Sequence, residues 1–95
     1  MKGYVVCVYK SIGNKKLLKK YAESAIPAIE KYKGKIIVRG GKKLTIEGKD
    51  SPRTVVIEFP SFEAAKNYYY SKEYQKAHSF LKGTVVRDFQ IVEGP

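Results

Sequence analysis

Three sets of side chains in this sequence are of types, and at spacings, that could do chemistry. Arg39 stands in IIVRGGKK (36–43), at the end of a short β-branched run and directly before two glycines. A guanidinium placed there offers a planar fork to a carboxylate or phosphate in a cleft. His78 is the only histidine, and Tyr74 and Tyr70 precede it by one and two helical turns. The three share a helix face, on which a proton carrier would stand beside two phenols. Tyr21, on the inward face of an earlier helical segment, could meet them across a helix–sheet cleft. Each set also has a plain structural counterpart. Arg39 could neutralise Glu58 or Asp88, carboxylates set in strands that otherwise read as buried, because buried charges must be paired. For the tyrosines and His78 packing takes precedence, since aromatic stripes at helical spacing usually border a core.

Other chemistries lack their residues. Cys7 is the one cysteine, mid-strand among valines, and reads as a small buried hydrophobe rather than a reactive thiolate. One histidine and one cysteine do not make a conventional zinc site, and no Ser-His-Asp set, GxGxxG or P-loop pattern occurs. No metal or nucleotide cofactor is expected, although His78 leaves room for an axial haem ligand.

The elements that must position these residues follow from periodicity. GYVVCVY (3–9) is a continuous apolar run of strand type. Asn14 caps a helix whose Leu18, Tyr21, Ala22, Ala25, Ile29 and Tyr32 share one face; Pro27 is expected to kink or restart it, and Gly34 to stop it. KIIVR (35–39) and KLTIE (43–47) read as one long strand bent at the glycine pair, returning through GKDSP (48–52) into RTVVIEF (53–59). Ser61 caps a second helix, with a break or re-cap at Ser71, and VVRDFQIVE (85–93) is the last strand.

The order β-α-β-β-α-β predicts a single α+β domain over residues 1–95, with a ferredoxin-like four-stranded antiparallel sheet and both helices on one face. Val55, Ile57 and Phe59 point to one side of the third strand, but Val56 is apolar on the other. A second copy of the chain is the simplest cover for that second face.

Nineteen Lys plus Arg against nine Asp plus Glu give a net charge of +10. That balance favours polyanions, but sixteen of the nineteen are scattered lysines, as on a solvated surface. RNA-recognition modules share the topology and stack bases on aromatics of the open sheet face. Matching their third-strand pattern to RTVVIEF puts Thr54 and Val56 at the stacking positions, where neither can serve. Nucleic-acid binding is therefore a minority alternative. No apolar run is long enough for a membrane span, and the start MKGYVVCVYK lacks signal-peptide architecture, so a cytoplasmic location is expected.

VRGGKKLTIEG, RTVVIEFPSFEAAKNYYYSKEYQKA and DFQIVEG together resemble domain-of-unknown-function family 1330, over nearly the whole chain. The resemblance implies the dimeric α/β-barrel superfamily, in which two ferredoxin-like chains pack sheet to sheet with helices outside. Its relatives include cofactor-independent monooxygenases, haem-handling proteins, lactone isomerases and ligand-sensing domains, and it brings no catalytic residues to carry over. Many relatives have S-P-E-Y where this chain has Ser71-Lys72-Glu73-Tyr74, a difference that bears on helix restart rather than chemistry.

The expectation is thus a homodimer that binds or converts a small apolar or acidic molecule in a helix–sheet cleft. Arg39 would anchor the ligand, and Tyr21, Tyr70, Tyr74 and His78 would line the site; whether the protein is an enzyme is left open. The alternatives are a ligand-free structural dimer and a basic nucleic-acid binder.

Overall fold

β1 (Gly3–Ile12) is the spine of the molecule, pairing antiparallel with β3 (Arg53–Phe59) on one side and β4 (Val85–Glu93) on the other. β2 (Lys35–Arg39) completes a sheet of order β2-β3-β1-β4 at the far edge of β3. The computed structural model describes all 95 residues. The architecture is the expected ferredoxin-like one.

Strand parity decides which residues meet the helices. Val5, Cys7 and Tyr9 of β1 sit opposite Ile57, Val55 and Arg53 of β3, and opposite Ile91, Phe89 and Arg87 of β4. This face carries the buried side chains. The other parity puts Tyr4, Val6, Val8, Thr54, Val56 and Glu58 on the open face, with Val38 and Val92 exposed beside them. An alternating strand pattern places successive residues on opposite faces, so the two sets cannot mix without a bulge.

α1 (Lys15–Lys31) starts where the Asn14 side chain accepts the Leu17 amide at 3.0 Å. It runs through Pro27 to Lys31 as one helix, so the expected restart does not occur. Its end is a Schellman cap: the Gly34 amide reaches the Ile29 carbonyl and the Lys33 amide reaches Glu30. Lys33, not Gly34, takes the left-handed backbone there, at φ 61°.

α2 (Phe62–Tyr70) and α3 (Lys72–His78) are separated at Ser71, as the sequence suggests, and a 3-10 turn, Ser79–Leu81, follows. The Ser71 hydroxyl donates to the Tyr68 carbonyl at 2.7 Å and accepts the Tyr74 amide at 3.1 Å. One buried serine thereby ends one helix, caps the next, and fixes the relation between Tyr68 and Tyr74. These two tyrosines join Phe59, Val5 and Leu81 as the largest fully buried side chains.

The expected long bent strand is not formed. β2 ends at Arg39, and residues 40–52 make a loop without strand pairing, in which Leu44 and Ile46 are about four-fifths exposed (80% and 78%). The register shift in β2 falls between Ile36 and Val38, ahead of the glycine pair. The KLTIE alternation has no core to face, and the loop is held by its own polar contacts, with Asp50 accepting from Lys43 and Thr45. Gly40 answers a different demand. It has φ 59°, which favours glycine, and a Cβ there would lie 2.8 Å from the Arg53 side chain, so the Arg53 guanidinium rests against its backbone.

Candidate functional site

Between α1 and the sheet lies a cavity of about 560 Å³, within the usual size range of small-molecule pockets. α1 packs side by side with α3 and bridges the space above β2 and β3 rather than closing on it. Apolar side chains make most of the wall, among them Leu18, Ile29, Ile36, Val55 and Ile57. The polar part is one-signed: Arg39, Arg53, Arg87, Lys15 and Lys19 line the cavity, and no Asp or Glu does.

Those three arginines are the only ones in the chain. None has an acidic partner. All four salt bridges use lysines: Lys2–Glu58, Lys10–Asp88, Lys31–Glu73 and Lys43–Asp50. The deepest of the three is Arg87, on β4 opposite Tyr9. Its Nη2 donates to the Tyr74 hydroxyl at 2.6 Å, and its Nη1 to the Tyr21 hydroxyl at 3.3 Å and, weakly, to Cys7 Sγ at 3.6 Å. The guanidinium also lies over the rings of Phe89, Tyr21 and Tyr9, at 4.9, 5.4 and 5.8 Å from their centroids. Aromatic faces attract a cation through the ring quadrupole, but they do not neutralise it.

Three of the surrounding phenols are held neutral by burial. Burial pushes the Tyr9, Tyr68 and Tyr74 hydroxyls well above the ordinary tyrosine value. Burial likewise raises the Cys7 thiol, with Arg87 pulling the other way, so Cys7 is a packed thiol rather than a thiolate. A guanidinium remains protonated throughout the working pH range. The site is therefore a partly buried cation held by hydroxyl and sulfur acceptors, with apolar space beside it.

Tyr21 and Tyr74 come together, hydroxyl to hydroxyl at 2.9 Å, with rings edge-on at 6.0 Å. Arg39 lines the cavity from its exposed rim. His78 stacks on Tyr74 at 5.8 Å in a shallower depression that shares Arg87 and Phe89 with the cavity. Burial and then Arg87 push its imidazole below the ordinary histidine value. Tyr70 does not join them. Its side chain is 70% exposed and touches only the edge of the cluster through Tyr69, which takes the inward position beside Tyr74 and Phe89. The expected pairing of Arg39 with Glu58 or Asp88 is not made, because both carboxylates have the opposite strand parity. Glu58 accepts from Tyr4 at 3.2 Å, and Asp88 pairs with Lys10 at 3.3 Å.

The central residue, Arg87, lies in no recognisable sequence motif. Its signal is parity: Val85, Arg87, Phe89 and Ile91 alternate inward, so a lone arginine occupies an apolar register. No three His, Cys, Asp or Glu side chains cluster as a metal site would require.

A family model for a domain of unknown function, DUF1330, matches residues 2–95. The chain belongs to the DUF1330 family. No curated protein matches it in sequence. Among solved structures it is similar to a protein of unknown function from Rhodopseudomonas palustris, with TM-score 0.78 and 14% identity over 99% of this chain and 82% of that one. A dimeric ferredoxin-like protein of unknown function from Bacteroides fragilis has TM-score 0.63 and 17% identity, covering 98% and 96% of the two chains. SnoaB from Streptomyces nogalater, described as a cofactor-independent oxygenase, has TM-score 0.64 and 7% identity, covering 99% and 93%. At these identities the likeness establishes the fold alone. No helix of the DUF1330 chain is long and apolar enough to cross a membrane.

Proposed function

We propose that this protein binds a small molecule with an apolar body and one acidic head group in the cavity between α1 and the sheet. The observation that carries the reading is that all three arginines line this cavity and none of them has a carboxylate partner. A charge drawn partly out of water is ordinarily paired, so the unpaired, half-buried Arg87 facing apolar space favours a ligand that brings the counter-charge. Arg87 would receive the head group, Arg39 and Arg53 would hold it electrostatically from the rim, and Leu18, Ile29, Val55 and Ile57 would cover the body. The four-stranded family fold supports chemistry on such a ligand no more than it supports simple binding. The likeness to a cofactor-independent oxygenase is compatible with a site that needs no metal, nucleotide or haem.

The open sheet face supports a homodimer as the form in which the site works. Val6, Val8 and Val56 lie there with Val38 and Val92, the last two 42% and 45% exposed, and solved neighbours of this fold are described as dimeric. The same face argues against RNA stacking. Its one aromatic is Tyr4, whose hydroxyl is engaged by Glu58. The unbridged, buried Cys7 suits a reducing compartment, so a cytoplasmic location goes with this reading.

The direct test compares two probes of one shape, naphthoate and the uncharged naphthalenemethanol, by titration calorimetry. Naphthoate is expected to bind at least about 10-fold more tightly, the lower end of what a hydrogen bond to a charged group contributes. Equal affinity, or no binding of either, would remove the anion site.

A further inference from the structure

The floor of the cavity has more hydrogen-bond donors than acceptors. Arg87 carries five N–H groups, and its partners in the protein are the Tyr21 and Tyr74 oxygens and the Cys7 sulfur. Tyr21 and Tyr74 share a single hydrogen bond at 2.9 Å, so only one of their two protons is used between them. Tyr74 is fully buried, and its oxygen already accepts from Arg87. Leaving its proton unbonded there would strand a buried donor without a partner, which is unfavourable. The favoured order therefore runs from Arg87 to Tyr74 to Tyr21. It leaves the Tyr21 proton over, on a side chain that lines the cavity next to Tyr68.

The groups facing this spot are all neutral or cationic. From β1 come Cys7 and Tyr9 and from α2 comes Tyr68, each held protonated by burial. α1 adds Lys15 and Lys19, β2 and β3 add Arg39 and Arg53, and α3 adds His78 beside Tyr74. No carboxylate approaches from any packed element. An oxygen entering here would meet a cation and a free phenol proton, and nothing that repels negative charge.

We infer that the Arg87–Tyr74–Tyr21 chain ionises a weakly acidic hydroxyl of the bound molecule, an enol or a phenol, and holds the resulting oxyanion. This deepens the reading of the cavity as an anion site, on which it rests, because it extends the site to guests that are neutral in water at the same pH. The O–H bond of the guest breaks, its electron pair stays on oxygen, and the proton leaves to water. No oxidant or reductant takes part. The new anion is stabilised by the Arg87 guanidinium and by the Tyr21 hydroxyl, whose own oxygen is polarised through Tyr74. Preformed donors aimed at a developing oxyanion cost no reorganisation when the charge appears.

The probe is para-nitrophenol, whose phenolate absorbs in the visible, titrated with pH in the presence and absence of saturating protein. The bound form is expected to ionise about one unit or more lower than the free form, the shift an opposite charge at close range produces. Arg87→Met should abolish the shift and Tyr21→Phe should reduce it, with circular dichroism confirming that both variants are folded. Tyr21→Phe carries the test alone if the arginine variant fails to fold. Binding without a downward shift, or a shift that survives both substitutions, overturns the inference. So does failure of para-nitrophenol to bind while naphthoate binds, a result that leaves the anion site standing. If neither probe binds, the anion site falls as well.

Discussion

Nη2 of Arg87 donates to the Tyr74 hydroxyl at 2.6 Å, and that hydroxyl lies 2.9 Å from the hydroxyl of Tyr21. Three residues from β4, α3 and α1 are thus tied at one point, where the sheet and two helices converge. The tie involves no carboxylate. It leaves the positive charge of Arg87 uncompensated at the floor of a largely apolar cavity.

Gly40 should tolerate no side chain. Gly40→Ala meets both a left-handed backbone at φ 59° and the Arg53 side chain 2.8 Å from the new Cβ. The backbone term alone costs about 1–2 kcal/mol. Thermal unfolding should show that loss, and naphthoate affinity should fall with it because Arg53 is displaced from the rim. Gly41→Ala, with nothing within 4 Å of its Cβ and no positive φ, should change neither measurement.

Charge on the open sheet face should break the assembly. Val56 sits between Val6 of β1 and Val38 of β2, at the centre of the uncovered apolar strip. Light scattering should find a dimer whose mass does not depend on salt, since apolar contact is not screened. Val56→Lys should give a folded monomer. A wild-type monomer would leave that strip open and contradict the dimeric account.

His78 should make stability fall in mild acid. Its imidazole is held below the ordinary value by burial and by Arg87, while Tyr74 and Tyr69 pack against its ring and Lys82 shares its depression. A histidine whose folded pKa is depressed binds fewer protons folded than unfolded, so stability rises with pH in that window. The contribution is complete above the unfolded value of about 6.5 and is lost as pH falls through it toward the folded value. His78→Phe should flatten the dependence of the melting temperature on pH between neutrality and about pH 5. An unchanged slope would place the titration elsewhere.

Much of this architecture is legible from residue spacing. The strand order, the caps at Asn14 and Ser61, the re-cap at Ser71 and the apolar second face all follow from local rules of periodicity and capping. KLTIE does not, because alternation predicts a strand only where a partner and a core face exist, and residues 40–52 have neither. The candidate site was half visible. Tyr21 and Tyr74 meet because helical spacing turns both inward. Tyr70 directly follows Tyr69, which occupies the inward face, and one residue of helix rotation, roughly 100°, is enough to send it to solvent. Arg87 belongs to no local motif: only strand parity, which sends Asp88 outward to Lys10, turns Arg87 inward to the tyrosines.

The most direct test of the central claim is the affinity of Arg87→Met for naphthoate and for naphthalenemethanol, measured beside the wild type. Methionine keeps the apolar bulk and removes the charge. The account predicts that naphthoate affinity falls about 10- to 100-fold, as expected for a lost hydrogen bond to a charged group, while naphthalenemethanol affinity barely changes. Equal effects on both probes, or none on naphthoate, would show that Arg87 is a packing residue and that the cavity does not select for charge.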